Sequence, residues 1–140
     1  MTGTGPDVNL NEGTDTDMGT STDTVVSTPA VPTPQRRGQV IRLRPEHAEE
    51  YLRLHREVWP EVLAMITACN IRNYSIYLHG DLLFSYFEYV GADFAADTAR
   101  MSADPTTQRW WQLTDPCQEQ TADARPGEWW TELPEVFHHD

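Results

Sequence analysis

Residues 72–90 read RNYSIYLHGDLLFSYFEYV, and this stretch decides the fold. Tyr, Ile, Leu and Phe are concentrated on both sides of HGD, which is the composition of paired strands. Gly80 and Asp81 suit the two central positions of a tight turn, so the stretch predicts a β-hairpin. Alternation places Tyr74, Ile76 and Leu78 on one face of the first strand. In the second strand it separates two faces: Phe84, Tyr86, Glu88 and Val90 on one, and Leu83, Ser85, Phe87 and Tyr89 on the other.

The segment before the hairpin predicts a strand and a broken helix. GQVIRLRP (38–45) alternates apolar with polar residues and ends in proline, as strands do. A helix is expected from about Pro45, because good helix formers follow it. Pro60 should kink or restart this helix, which ends near Cys69.

The segment after the hairpin predicts a second helical region and one more strand. ADFAADTARMSA is alanine-rich and amphipathic, and DPTTQRWWQLTDP restarts the helix with Asp104 as its N-cap. Pro116 ends it. A final short strand is expected around Leu133 to His138.

The element order is therefore strand, helix, strand, strand, helix, strand. This order is that of the ferredoxin-like split βαβ fold, an α+β class. Two helices would cover one face of a four-stranded antiparallel sheet. The opposite face carries large aromatic side chains, and an exposed apolar face of that size predicts association. We expect a symmetric homodimer in which sheet packs on sheet.

The first 35 of the 140 residues differ from the rest in composition. Residues 1–35 contain no aromatic and no basic residue and are rich in Thr, Asp, Gly, Ser and Pro. Such a segment cannot bury enough apolar surface to offset its ordering entropy. The sequence predicts a disordered acidic extension at 1–35 and one folded domain at 36–140.

Charge and cysteine usage exclude several classes of function. Asp and Glu total 22 against 10 basic residues, all of them arginine, so binding to nucleic acid or an anionic membrane is not expected. Cys69 and Cys117 lack zinc spacing, and reduced thiols are favoured over a disulfide. There is no apolar run of about 20 residues and no secretory signal, so we expect a cytoplasmic protein. No metal site is predicted.

His55 and Tyr51 are the first candidates for chemistry. They lie four residues apart on one predicted helical stripe with Val58, Val62 and Ile66. His55 has two interpretations, a core histidine satisfied by one hydrogen bond or a general acid or base in a cleft between helix and sheet. Tyr51 could bind a substrate hydroxyl or orient the histidine ring.

Aromatic residues supply the other candidates. Adjacent residues of a helix project about 100° apart, so one of Trp110 and Trp111 can pack in the core while the other lines a cleft. Aromatic faces bind sugars, although core filling is the plainer interpretation. Tyr74 could reach a pocket beneath the first helix or be an ordinary core tyrosine. For Trp129 and Trp130, packing or a dimer contact is favoured over ligand binding.

Five blocks of this sequence, in order, resemble the L-rhamnose mutarotase family. The blocks are HAEEYLRLHREVWPE, RNYSIYL, LLFSYFEYV, TQRWWQLTDP and EVFHHD, and they span the chain from about Arg36 to its C-terminus. The resemblance implies a dimeric α+β barrel and an isomerase that interconverts the α and β anomers of L-rhamnose or a related 6-deoxy sugar. It implies that neither a cofactor nor a metal takes part.

The same resemblance implies roles for five residues. His55 would be the proton donor, and Tyr51, Tyr74, Trp110 and Trp111 would bind the substrate. The base that removes the anomeric proton is left open. Two rival functions are a non-catalytic small-molecule- or sugar-binding dimer and a cofactorless monooxygenase of the same barrel type, because fold alone does not determine function.

Overall fold

The computed structural model describes residues 33–140. Residues 1–32, which make up nearly all of the expected acidic extension, lie outside the described residues. The first strand, β1, covers Gln35–Leu43 and so begins three residues before the predicted start.

The hairpin predicted from residues 72–90 is confirmed. β2 covers Ile71–His79, β3 covers Leu82–Tyr89, and Gly80 and Asp81 form the turn between them. Gly80 has a φ of 61°, a left-handed conformation that glycine adopts without a steric cost. The strands pair antiparallel from Leu78↔Leu83 toward Ile71↔Tyr89, with a β-bulge between Arg72 and Ser75.

The sheet has the strand order β2-β3-β1-β4, which is that of a split βαβ fold. β4 (Gln118–Glu119) pairs with residues 42–43 of β1, and β5 (Thr131–Leu133) pairs with residues 38–40. The two short strands therefore lie end to end along one edge of β1. The expectation of one last strand at 133–138 is wrong, because residues 134–140 form no regular secondary structure.

Each predicted helical region consists of two helices. A 3-10 turn at Pro45–His47 leads into α1 (Ala48–Arg56), and α2 (Pro60–Ala68) restarts at Pro60 as expected. α3 covers Phe94–Ala103 and α4 covers Pro105–Thr114. The Asp104 side chain accepts a hydrogen bond from the Thr107 amide at 2.9 Å, which confirms it as the N-cap of α4.

The two faces of the sheet differ in burial, as their alternating residues predict. Along β3, the face with Leu83 and Phe87 is buried and the face with Phe84 is only half-buried. On this outer face, Val40, Phe84 and Tyr77 lie side by side across three strands, and Tyr77 is 66% exposed.

The apolar interior contains two clusters of buried side chains. The first joins the sheet to α1 through Ile41, Leu43, Leu83, Cys117 and Tyr51. The second lies between the helices and consists of Leu54, Val62 and Trp110, with Trp59 and Trp111 among the half-buried residues packed on it. The helical stripe predicted as one is thus divided, since Tyr51 belongs to the first cluster and Val62 to the second. Cys69 and Cys117 are both buried free thiols, in agreement with the expectation.

A polar network fixes the end of β3 to α3. The Tyr89 hydroxyl donates to Asp97 at 2.5 Å and accepts from the Asp93 amide at 3.0 Å. Asn70, which has a φ of 64°, also donates to Asp97, at 2.9 Å. These two side-chain hydrogen bonds are the main causes that lower the pKa of Asp97, so its carboxylate stays charged.

Candidate active site

Tyr51 and His55 stack on one face of α1, where residues four apart are neighbours. Their ring centroids are 4.2 Å apart. His55 Nδ1 lies 2.8 Å from the Tyr51 carbonyl oxygen. Because a carbonyl oxygen only accepts, Nδ1 holds the hydrogen in this contact. In the neutral ring, Nε2 is therefore the nitrogen that accepts a proton.

The indole of Trp110 packs against the edge of His55. The two ring centroids are 5.5 Å apart in a T-shaped arrangement, and Trp59 contacts the same indole at 5.3 Å. Trp110 is itself buried. Burial lowers the pKa of His55 from its ordinary value, and the hydrogen bond to the Tyr51 carbonyl opposes this shift only in part. His55 is consequently a neutral base at neutral pH.

The Tyr51 hydroxyl is held inside the protein. Tyr51 is 3% exposed, and its oxygen accepts a hydrogen bond from Gln118 Nε2 at 3.3 Å. Burial is the largest cause that raises the pKa of Tyr51, the neighbouring Tyr74 adds to it, and the Gln118 hydrogen bond opposes it. The phenol therefore remains protonated and can donate a hydrogen bond.

Tyr74 reaches the same region from the sheet. It lies within the β-bulge of β2, next to Asn73, whose φ is 51°. Its ring meets Phe87 edge-on at 5.8 Å, which places it on the helix-covered face of the sheet. Desolvation raises the pKa of Tyr74 to about 12, although 43% of the residue is exposed. Tyr74 also contributes electrostatically to the raised pKa of Tyr51.

Three of the five predicted site residues are in ring contact, namely Tyr51, His55 and Trp110, and Tyr74 lies on the helix-covered face of the sheet. Trp111 is half-buried and packs on the second cluster, whereas the rings that contact His55 within residues 33–140 are those of Tyr51 and Trp110. The expectation that one of the two adjacent tryptophans packs in the core is confirmed by the burial of Trp110.

Three further residues of the site were not predicted from the sequence. Trp59 supports Trp110, Gln118 binds the Tyr51 hydroxyl, and Trp129 Nε1 donates to Gln118 Oε1 at 2.8 Å. Gln118 lies 67 residues from Tyr51 along the chain. No local pattern signals a contact over that separation.

A surface cavity of about 370 Å³ opens at the end of α1, beside the second cluster. It is lined by Arg53, Leu54, Arg56, Glu57 and Trp59. The predicted site residues are outside this lining. The candidate site is therefore defined by the Tyr51–His55 pair and not by this cavity.

Residues 33–140 offer neither a metal cluster nor a membrane-spanning helix. No group of three or more His, Cys, Asp or Glu side chains in this range is arranged to hold a metal ion. Among the helices of the same range, none has both the length and the apolarity needed to cross a membrane.

Comparison with known proteins gives a consistent result for the whole described domain. The profile of a family described as L-rhamnose mutarotase matches residues 36–139. The L-rhamnose mutarotase of Oceanobacillus iheyensis is 32% identical over 108 residues, which are 76% of this chain and 99% of that protein. The L-rhamnose mutarotase of Escherichia coli O1:K1 is 33% identical over 108 residues, covering 74% of this chain and 96% of the relative.

Solved structures agree on the fold. L-rhamnose mutarotase from Formosa agariphila superposes with a TM-score of 0.59 at 20% identity. Tetracenomycin F2 cyclase from Streptomyces glaucescens superposes with a TM-score of 0.56 at 14% identity. Each match covers 76% of this chain and 99% of the other. At such identities the likeness concerns the fold alone, since one fold supports several chemistries.

Proposed function

This chain belongs to the L-rhamnose mutarotase family, and from that premise we propose that it is an isomerase that interconverts the anomers of L-rhamnose. The observation that carries the proposal is the Tyr51–His55 pair. A phenol that stays protonated lies beside an imidazole that stays neutral, so one hydrogen-bond donor and one proton acceptor lie side by side.

Anomer exchange requires this combination. The C1–O5 bond of the pyranose breaks, O5 gains a proton, the anomeric hydroxyl loses its proton, and C1 becomes an aldehyde carbon. Ring closure on the opposite face of that carbon reverses these transfers. The reaction thus consists of proton transfers to and from oxygen, which a positioned side chain can accelerate by roughly 100- to 10,000-fold.

We assign the proton transfer to His55. Its neutral Nε2 accepts the anomeric proton, and the imidazolium that results donates it to O5. One ring can serve both oxygens because both are bonded to C1. This assignment supplies the base that the sequence left open, since the same histidine acts first as base and then as acid.

We assign substrate binding to Tyr51, Tyr74, Trp110 and Trp111. The two phenols bind sugar oxygens, and the indoles offer apolar surface to the C–H groups and the 6-methyl group of a deoxy sugar. Tyr51 and Trp110 are supported by their ring contacts with His55, and Tyr74 by its electrostatic contribution to the raised pKa of Tyr51. For Trp111 the support is its position next to Trp110 in the matched family segment.

We also propose that the protein acts as a cytoplasmic homodimer formed by the outer sheet faces. The apolar row of Val40, Phe84 and Tyr77 supports this assembly, because a monomer would leave it in water. The two free buried thiols are consistent with a reducing compartment. We propose that the predicted extension, up to the start of β1 at Gln35, is not required for the chemistry.

The test is saturation-transfer proton NMR on L-rhamnose. One anomeric proton is irradiated and the signal of the other is recorded with and without the protein. Loss of intensity on addition of the protein supports the isomerase. Sugar binding without transfer of saturation would instead indicate a non-catalytic binding protein, and neither effect with L-rhamnose or L-fucose would leave the cofactorless monooxygenase as the rival.

A further inference from the structure

We infer that Gln118 and Trp129 are positioning residues that turn the Tyr51 hydroxyl into a hydrogen-bond donor toward the sugar. This inference rests on the proposed function. It assigns a purpose to the C-terminal segment, which the chemistry described so far does not use.

The directions of the two hydrogen bonds follow from the indole N–H of Trp129, which is the first donor in the series. An indole N–H can only donate, so the atom of Gln118 that faces Trp129 must be the amide oxygen, at 2.8 Å. The amide nitrogen of Gln118 then faces Tyr51 Oη, at 3.3 Å. Trp129 thereby fixes which end of the Gln118 amide meets the tyrosine.

The consequence for Tyr51 concerns its single hydrogen. Gln118 Nε2 can only donate, so the Tyr51 oxygen accepts in this contact and its hydrogen is free for another acceptor. Tyr51 is 3% exposed and Gln118 is 5% exposed, so bulk water competes little for that hydrogen. A sugar oxygen bound in the site can take it.

This orientation matches what a hemiacetal offers. The anomeric hydroxyl is a donor and suits the accepting Nε2 of His55, whereas the ring oxygen is an acceptor and suits the donating Tyr51. If the Gln118 amide were reversed, its oxygen would take the Tyr51 hydrogen. The site would then present two acceptors to the resting hemiacetal, and the ring oxygen would lose the hydrogen bond from Tyr51.

The fold holds both positioning residues on the edge of β1. Gln118 begins β4 and Trp129 precedes β5, and both strands pair with β1. The segment between them is closed by a 2.7 Å hydrogen bond between the Thr121 and Thr131 hydroxyls. The partner of Tyr51 is thus set by the sheet rather than by helix α1 itself.

Gln118→Glu tests the inference in the full-length chain. The carboxylate introduced by this substitution, when ionised, accepts from both Trp129 and Tyr51, so it consumes the Tyr51 hydrogen. We expect anomer exchange at neutral pH to fall by about 100- to 1,000-fold, as for loss of one preorganised donor. Once protonated, the introduced carboxylic acid can again donate to Tyr51, so the ratio of parent to variant rates should shrink as pH falls.

Two comparisons separate positioning from mere structural support. Gln112→Glu adds the same charge at an exposed position of α4 and should leave the rate unchanged. Trp129→Phe removes the N–H that fixes the amide and should cause a smaller loss than Gln118→Glu. A Gln118→Glu deficit that is equal at every pH and follows the loss of thermal stability would overturn the inference, as would a variant as active as the parent.

A second measurement does not depend on catalysis. ¹⁵N-resolved NMR spectra of the parent and of Tyr51→Phe are compared. The substitution should shift the side-chain amide signals of Gln118, with little effect on the Trp129 indole proton. If the parent exchanges no anomers but this shift occurs, the proposed function fails and the hydrogen-bond orientation holds. If the Gln118 signals do not respond, the orientation is wrong whatever the activity.

Discussion

Among the glycines of residues 33–140, Gly91 is the one at which an added methyl group would meet the closest atoms. A Cβ built on Gly91 would lie 2.4 Å from the Tyr89 hydroxyl oxygen, 2.6 Å from Tyr89 Cζ and 2.8 Å from Asn70 Nδ2. Contacts below 3.0 Å essentially do not occur, so Gly91→Ala must displace Tyr89, Asn70 or both.

Neither neighbour can move cheaply. Tyr89 is 1% exposed, and its hydroxyl is held by Asp97 and by the Asp93 amide. Overpacking of this kind costs about 1–3 kcal/mol, and each hydrogen bond broken adds about 1 kcal/mol. We therefore expect Gly91→Ala to lower the free energy of unfolding by about 3 kcal/mol or more.

Equilibrium urea unfolding of the parent and the variant measures this quantity, provided that both unfold in two states. Gly38→Ala is the matched control, because a Cβ there meets its nearest atoms at 3.9 Å, an ordinary contact. The control should lie within about 0.5 kcal/mol of the parent. Equal midpoints and slopes for Gly91→Ala and Gly38→Ala would show that the Tyr89 network is not rigid and would refute the reasoning.

Three further predictions concern activity and assembly. Because the pKa of His55 is lowered, the neutral base predominates at neutral pH. The exchange rate should therefore fall on acidification, with a midpoint below the ordinary histidine pKa of about 6.5. A rate that rises toward acid would require the imidazolium form at the start and would contradict the assignment. Tyr77→Asp should convert the dimer to a monomer in analytical ultracentrifugation. Leu63→Asp changes an exposed apolar residue of α2 and should leave the dimer intact. A dimer that survives Tyr77→Asp would exclude the outer sheet face as the interface. Deletion of residues 1–32 should leave the exchange rate per chain unchanged, and a tenfold loss would show that the extension takes part.

Local signals in the sequence were sufficient for most of the fold. Gly80-Asp81 between two aromatic-rich runs indicated the hairpin, and Trp59-Pro60 indicated the break between α1 and α2, because the residue before proline avoids helical angles. The last strand was misplaced because β4 and β5 are two and three residues long, too short for an alternating pattern. The composition favoured a strand around Leu133 to His138 instead.

The residues of the candidate site likewise fall into those that local sequence spacing could pair and those that it could not. Tyr51 and His55 could be paired from the sequence because helical spacing alone brings them together. Gln118 and Trp129 could not, since their contacts depend on two short strands that meet the edge of β1. The sequence could not predict that the helical stripe is divided between two clusters, because α1 ends at Arg56 and a new helix, α2, begins at Pro60.

The most direct test of the central claim compares His55→Asn with His79→Asn in the saturation-transfer experiment on L-rhamnose. Asparagine can keep a hydrogen bond to the Tyr51 carbonyl but cannot take up a proton, and His79 is an exposed residue at the end of β2. We expect His55→Asn to bind the sugar still but to transfer saturation at least about 100-fold more slowly than the parent, while His79→Asn is unchanged. Equal transfer by His55→Asn and the parent would contradict the assignment of proton transfer to His55.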